Sequence, residues 1–156
     1  YQLANIIEID NTIFDSFEVI LRPGPTFAGL EQNKQINRIL SMTNNVKLNN
    51  NSMIEQIKES DFVIFNITSV GIESVLLGRL AIYLSLSNVI EIDSLDGKAD
   101  KDIFFNTNNT NDLKINMSTI LKLTKKDYSV LLNKQRKYAK NIYSQVNFNN
   151  IKNTLN

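Results

Sequence analysis

The stretch from Asp61 to Leu84, DFVIFNITSVGIESVLLGRLAIYL, restricts the fold more than any other part of the chain. It contains two uninterrupted apolar runs, Asp61–Phe65 and Leu80–Leu84. Apolarity without alternation is what a strand covered on both faces needs, and such strands belong to parallel sheets. Parallel neighbours require a crossover. The intervening residues supply one: a small polar turn after Phe65, a helix over Ser69–Leu77, and Gly78 as its C-terminal stop. A turn at the carboxyl end of a parallel strand presents backbone N–H groups and the positive end of a helix dipole to whatever lies above the sheet. Nucleotide phosphates are common occupants of that position.

The alternation continues on both sides. Leu3, Ile6, Ile7, Ile13 and Phe14 suit a helix over residues 3–14, weakened by Asp10 and Asn11. Phe17–Leu21 reads as a short buried strand. It is closed by Arg22, Pro23, Gly24 and Pro25, because two prolines cannot continue a ladder. Thr26 is a candidate N-cap for a helix reaching Leu40, with Leu30, Ile36, Ile39 and Leu40 inward. Asn45–Leu48 is a second short strand. Ser52 and Glu55 have capping-box spacing and open a helix ending near Glu59. Val89–Ile92 predicts a further strand, and Phe104 with Phe105 predicts either an edge strand or a loop anchor.

The C-terminal third is predicted helical over about 111–146. Leu113, Met117, Ile120 and Leu121 share one helix face. Thr124 and Asp127 offer a second capping box, and Val130, Leu131, Lys134, Tyr138 and Ile142 line the stripe of the helix that follows. The pattern predicts a single α/β domain over residues 1–156: a Rossmann-like parallel sheet with helices on both faces, followed by C-terminal helices. Crossovers should be right-handed.

Composition removes several chemistries. The chain has no Cys and no His, which excludes disulfides, thiolate and imidazole catalysis and the common zinc sites. The absence of Cys is compatible with a reducing cytosol. The formal net charge of +1 gives no electrostatic argument for nucleic acid. The densest basic stretch, Lys134–Lys140, has helical spacing and reads as a solvated face. No apolar run approaches the roughly 20 residues of a membrane span. A cytoplasmic location is expected, with peripheral contact at the inner face of the membrane compatible with it. The chain begins at Tyr1, as expected of a piece of a longer polypeptide or a processed product.

Three constellations bear chemistry. Thr68, Ser69, Val70 and Gly71 are small enough for a phosphate to approach the backbone, with hydroxyls as added donors; the same residues also read as an ordinary helix N-cap. Glu73, one turn on, can accept hydrogen bonds from ribose hydroxyls, or can simply be a favourable acid in a first helical turn. Arg22, at a strand end beside a rigid turn with Gly24 and Thr26, can pair with a diphosphate; the alternative is a surface turn with an incidental cation. Asp93, Asp96, Asp100 and Asp102 form an acidic stretch that lacks EF-hand spacing and reads as a solvated loop. No P-loop and no dehydrogenase-type glycine fingerprint is present.

The apolar strand, Thr68-Ser69-Val70-Gly71, Glu73, Leu76-Leu77-Gly78 and second apolar strand together resemble the C-terminal, nucleotide-binding half of GT-B-fold glycosyltransferases. The likeness is to bacterial enzymes of surface-polysaccharide assembly, including the capsule and CDP-glycerol transferase relatives and the UDP-GlcNAc 2-epimerase group. Val19-Ile20-Leu21-Arg22-Pro23-Gly24-Pro25 also resembles the family, in which a strand ends in a basic residue, Pro, His and Pro. Here Gly24 stands where that His does, so its role is either absent or moved to Arg22 or Thr26. The resemblance implies a donor's diphosphate at Ser69, Val70 and Gly71, with Glu73 near the ribose. It implies a nucleotide-sugar as substrate and neither a metal nor a further cofactor. Catalytic residues stay unassigned. A GT-B enzyme needs two such halves, so the resemblance implies a missing N-terminal domain or partner subunit, and an isolated chain without turnover. Two alternatives stand beside it: a non-catalytic Rossmann-like assembly module with a degenerate nucleotide site, and a sugar-nucleotide epimerase half.

Overall fold

The computed structural model describes residues 2–22, 30–49, 51–66, 69–85, 103–105, 107 and 109–145. In chain order the elements are α1 (Gln2–Ile9), β1 (Val19–Leu21), α2 (Leu30–Met42), β2 (Val46–Leu48) and α3 (Met53–Glu59). They continue with β3 (Phe62–Phe65), α4 (Val70–Leu76), β4 (Leu80–Tyr83), α5 (Thr110–Lys122) and α6 (Lys125–Gln145). The protein is α/β, with six helices and small parallel sheets among the described residues.

The strands form two parallel pairs. β1 pairs with β2, Val19 opposite Val46, and β3 pairs with β4, Phe62 opposite Leu80. Each pair is joined by a helix, as parallel strands require. The pairs meet through aromatic rings: Phe17, just before β1, lies edge-on to Phe62 at the start of β3, 5.9 Å between centroids. β4 is the most deeply covered strand, with all four residues buried. On β3 only Phe65 is fully buried, so coverage on both faces holds for β4 and only partly for β3.

The free edge of β4 is closed by other groups. Leu84 bridges Thr107 in parallel, and Tyr83 exchanges backbone bonds with Phe104 and Thr107. Two residues toward the amino end of β4 the closing group is a side chain. Gln135 of α6 is wholly buried; its Oε1 accepts from the Ala81 N–H at 3.0 Å, and its Nε2 donates to the Ala81 carbonyl at 2.9 Å and the Ile103 carbonyl at 2.7 Å. Burying a primary amide is tolerable because its donors and acceptor are satisfied. Phe104 is a loop anchor: its buried ring packs on Phe65 and on Tyr138.

Several local signals act as read. Ser52 and Glu55 form a capping box at α3, and Gly78 ends α4 at φ +98°. Its N–H bonds the Val75 carbonyl and the next N–H, from Arg79, bonds Ser74, which is the Schellman pattern. Thr124 precedes α6 and its hydroxyl accepts from the Asp127 N–H, although the Asp127 carboxylate returns to that hydroxyl instead of to the backbone.

Three expectations are corrected. α1 ends at Ile9, not Phe14, because the Asp10 carboxylate takes the Thr12 N–H and hydroxyl and turns the chain; Ile13 and Phe14 are buried from that turn. On α5, Leu113, Met117 and Ile120 face inward, but Leu121 is exposed. On α6 the buried stripe runs through Leu132, Gln135 and Ala139, leaving Val130 and Lys134 outside. That rotation follows from the bond between Gln135 and β4, which a hydrophobic pattern cannot register. The strand expected at Val89–Ile92 and the acidic residues Asp93, Asp96, Asp100 and Asp102 lie outside the described residues.

Candidate functional site

The turn after β3 lies at the carboxyl end of a parallel strand, where sheet ligands are bound. Asn66 closes the strand by donating its side-chain amide to the Leu84 carbonyl at the end of β4. Thr68 lies outside the described residues; Ser69 is exposed and immediately precedes α4. Ser69 occupies the cap position with helical backbone angles, φ −67° and ψ −12°, and makes no side-chain capping bond. Its hydroxyl instead donates to Glu73 Oε1 at 2.7 Å, one turn along. The Ser69 hydroxyl oxygen and Glu73 Oε2 take no other partner among the described residues. The result is a paired hydroxyl and carboxylate on the half-exposed first turn of α4.

Gly71 has a packing reason besides the one its spacing suggests. It is buried, and a Cβ built on it would stand 2.3 Å from the Phe65 ring. The absent side chain lets α4 lie directly on β3. This is the packing role of a glycine in strand–turn–helix units, distinct from close approach of a ligand. Val70 is partly buried against the core, and Ser74, fully buried, donates back to the Gly71 carbonyl at 2.8 Å.

Arg22 follows β1 at its carboxyl end and is exposed. Its Nη1 donates to Gln56 Oε1 at 3.2 Å and to the Asn51 carbonyl at 3.3 Å. The nearly buried Gln56 in turn donates to the carbonyls of Asn49 and Asn51. One side of the guanidinium is thus clamped to the loop after β2, while Nε and Nη2 have no partner among the described residues. Gly24 and Thr26 lie outside the described residues. Gln56 is the residue that sequence reading passed over. Its signal is faint: a polar residue on the inner side of a short helix next to Ile57.

The arrangement thus offers a clamped cation at the end of β1 and a hydroxyl–carboxylate pair at the end of β3. The first suits an anion and the second suits hydroxyl groups. Comparison of the chain with protein-family models, with curated proteins and with solved structures returned no match. Among the described residues no helix is long and apolar enough to cross a membrane.

Proposed function

We propose that the chain is the Rossmann-like donor-binding half of a GT-B glycosyltransferase, one that binds a nucleotide-sugar for bacterial surface-polysaccharide synthesis. The observation that carries this reading is the Ser69–Glu73 pair, open on the first turn of α4 at the carboxyl end of β3. In this reading the donor's diphosphate lies over the start of α4, with Arg22 contributing Nε and Nη2, which have no partner among the described residues. Glu73 Oε2 accepts from ribose hydroxyls. Transfer would rest on positioning and on charge stabilisation of the leaving diphosphate. The acceptor site and the catalytic base would belong to an N-terminal domain or partner subunit on the cytoplasmic side of the membrane.

The test is titration with UDP, CDP and GDP, read by amide NMR. One of the three should shift the Ser69–Glu73 amides saturably, and Glu73→Gln should weaken that binding. Unmoved amides at millimolar concentrations of all three nucleotides would remove the donor site.

A second reading is favoured by one feature: Arg22, Ser69 and Glu73 already bond within the chain, as they would in a degenerate site. The chain is then a non-catalytic assembly module. Light scattering distinguishes the two, since such a module would self-associate or bind a partner with no response to any nucleotide.

A further inference from the structure

The C-terminal helix carries a charge that the rest of the molecule does not. α6 contains six cations, Lys125, Lys126, Lys134, Arg136, Lys137 and Lys140, against one acid, Asp127. The whole chain has a formal net charge of only +1, so the remaining residues are net acidic. Burial fixes the orientation of the helix: Leu132, Gln135 and Ala139 face the core. At 3.6 residues per turn, Lys126, Val130, Lys134, Lys137 and Lys140 fall on the opposite side, and all five are exposed. Arg136 turns inward instead, donating to the Val75 carbonyl at the end of α4.

Three surface cations elsewhere have acidic partners, Lys47 with Glu18, Lys114 with Asp10 and Arg38 with Glu8, while Lys122 at the end of α5 has none among the described residues. The four outward lysines of α6 have neither an ion pair nor a hydrogen bond among the described residues. Lys134, Lys137 and Lys140 follow one another at three-residue spacing, so they repel along the helix. An external anion would relieve that repulsion.

We infer that this outer face of α6 docks on an anionic lipid surface. Three features select lipid over nucleic acid. The outward cations are lysines, point charges without the planar fork used to read bases. Tyr128 and Tyr138 are partly buried against the core, so neither ring is free on the outer face for base stacking. Val130 stands about half exposed among the lysines, and Leu121 is similarly exposed near the end of α5. Apolar side chains gain by entering a headgroup layer while lysines reach around them to the phosphates. The helix, 21 residues and roughly 30 Å long, lies flat on such a surface. The inference does not depend on the donor-site reading.

The experiment is co-sedimentation of the full chain with vesicles of phosphatidylcholine alone and of phosphatidylcholine mixed with phosphatidylglycerol. Binding should appear only with the mixed vesicles and fall as salt rises. The combined Lys126→Gln, Lys134→Gln, Lys137→Gln and Lys140→Gln variant should lose affinity by roughly fivefold per lysine. Its thermal stability should not fall, because all four side chains are exposed. Val130→Gln should weaken vesicle binding on its own. Failure to sediment with anionic vesicles, a lysine-depleted variant that binds as the parent does, or equal affinity for duplex DNA would each overturn the inference.

Discussion

Gly71 shows how one residue type serves two masters at the same spacing. In the sequence it belongs to a small polar turn, where the reason for a glycine can be a ligand or a neighbour. The neighbour is Phe65, whose ring also contacts Tyr83 at 5.4 Å and Phe104 at 6.3 Å between centroids. A methyl group at position 71 would stand 2.3 Å from a ring with little room to retreat. Gly71→Ala should therefore destabilise the fold by about 1–3 kcal/mol, as overpacked sites do. Urea unfolding checks this, and a variant as stable as the parent would return Gly71 to the ligand reading. Glu73 and Ser69 present the opposite case. Their four-residue spacing on a helix predicts that they meet, and they do.

At the scale of elements, the local stop and start signals were legible and the inward faces were less so. Ser52, Gly78 and Thr124 act within a turn of their own positions, so the sequence around each is sufficient. Helix ends also receive remote cations. Arg79 donates to the Ile57 and Lys58 carbonyls at the end of α3, and Arg136 to Val75 at the end of α4. The face of α6 turned on Gln135, a polar residue that hydrophobic periodicity assigns to solvent. Its amide stands in for a neighbouring strand beside Ala81. Gln135→Leu leaves the Ala81 N–H and two carbonyls without their partner, and a buried unsatisfied group costs about 1–3 kcal/mol. A loss of at least about 2 kcal/mol is expected in urea unfolding, against under about 0.5 kcal/mol for exposed Lys134→Gln.

Across the whole molecule, the turn after α1 and helix α5 are tied by charge. Asp10, just after α1, accepts from Lys114 of α5 at 2.7 Å. That bond, followed by those from Thr12, lowers the Asp10 carboxyl from its ordinary 3.8 to about 2. The folded state thus holds this proton less tightly than the unfolded state does. The resulting stabilisation is complete above the ordinary value and is lost as pH falls toward about 2. Glu55, lowered by the Ser52 hydroxyl, adds to the acid sensitivity in the same direction. Asp10→Asn should flatten the acid limb of a stability–pH profile and leave its neutral plateau lower. An unchanged acid limb would mean that the pair does not persist in solution.

The residues by themselves determined the order of helices and strands, the parallel sense implied by helical crossovers, and the caps. These depend on hydrogen bonds and steric limits within a few positions. Tertiary structure decided that the described strands form two pairs, that Gly71 serves Phe65, that Gln56 clamps Arg22, and that α6 seats Gln135 against Ala81 and Ile103. Each of those outcomes joins groups far apart in the chain, and no local period records which distant partner will satisfy a buried amide or receive a ring.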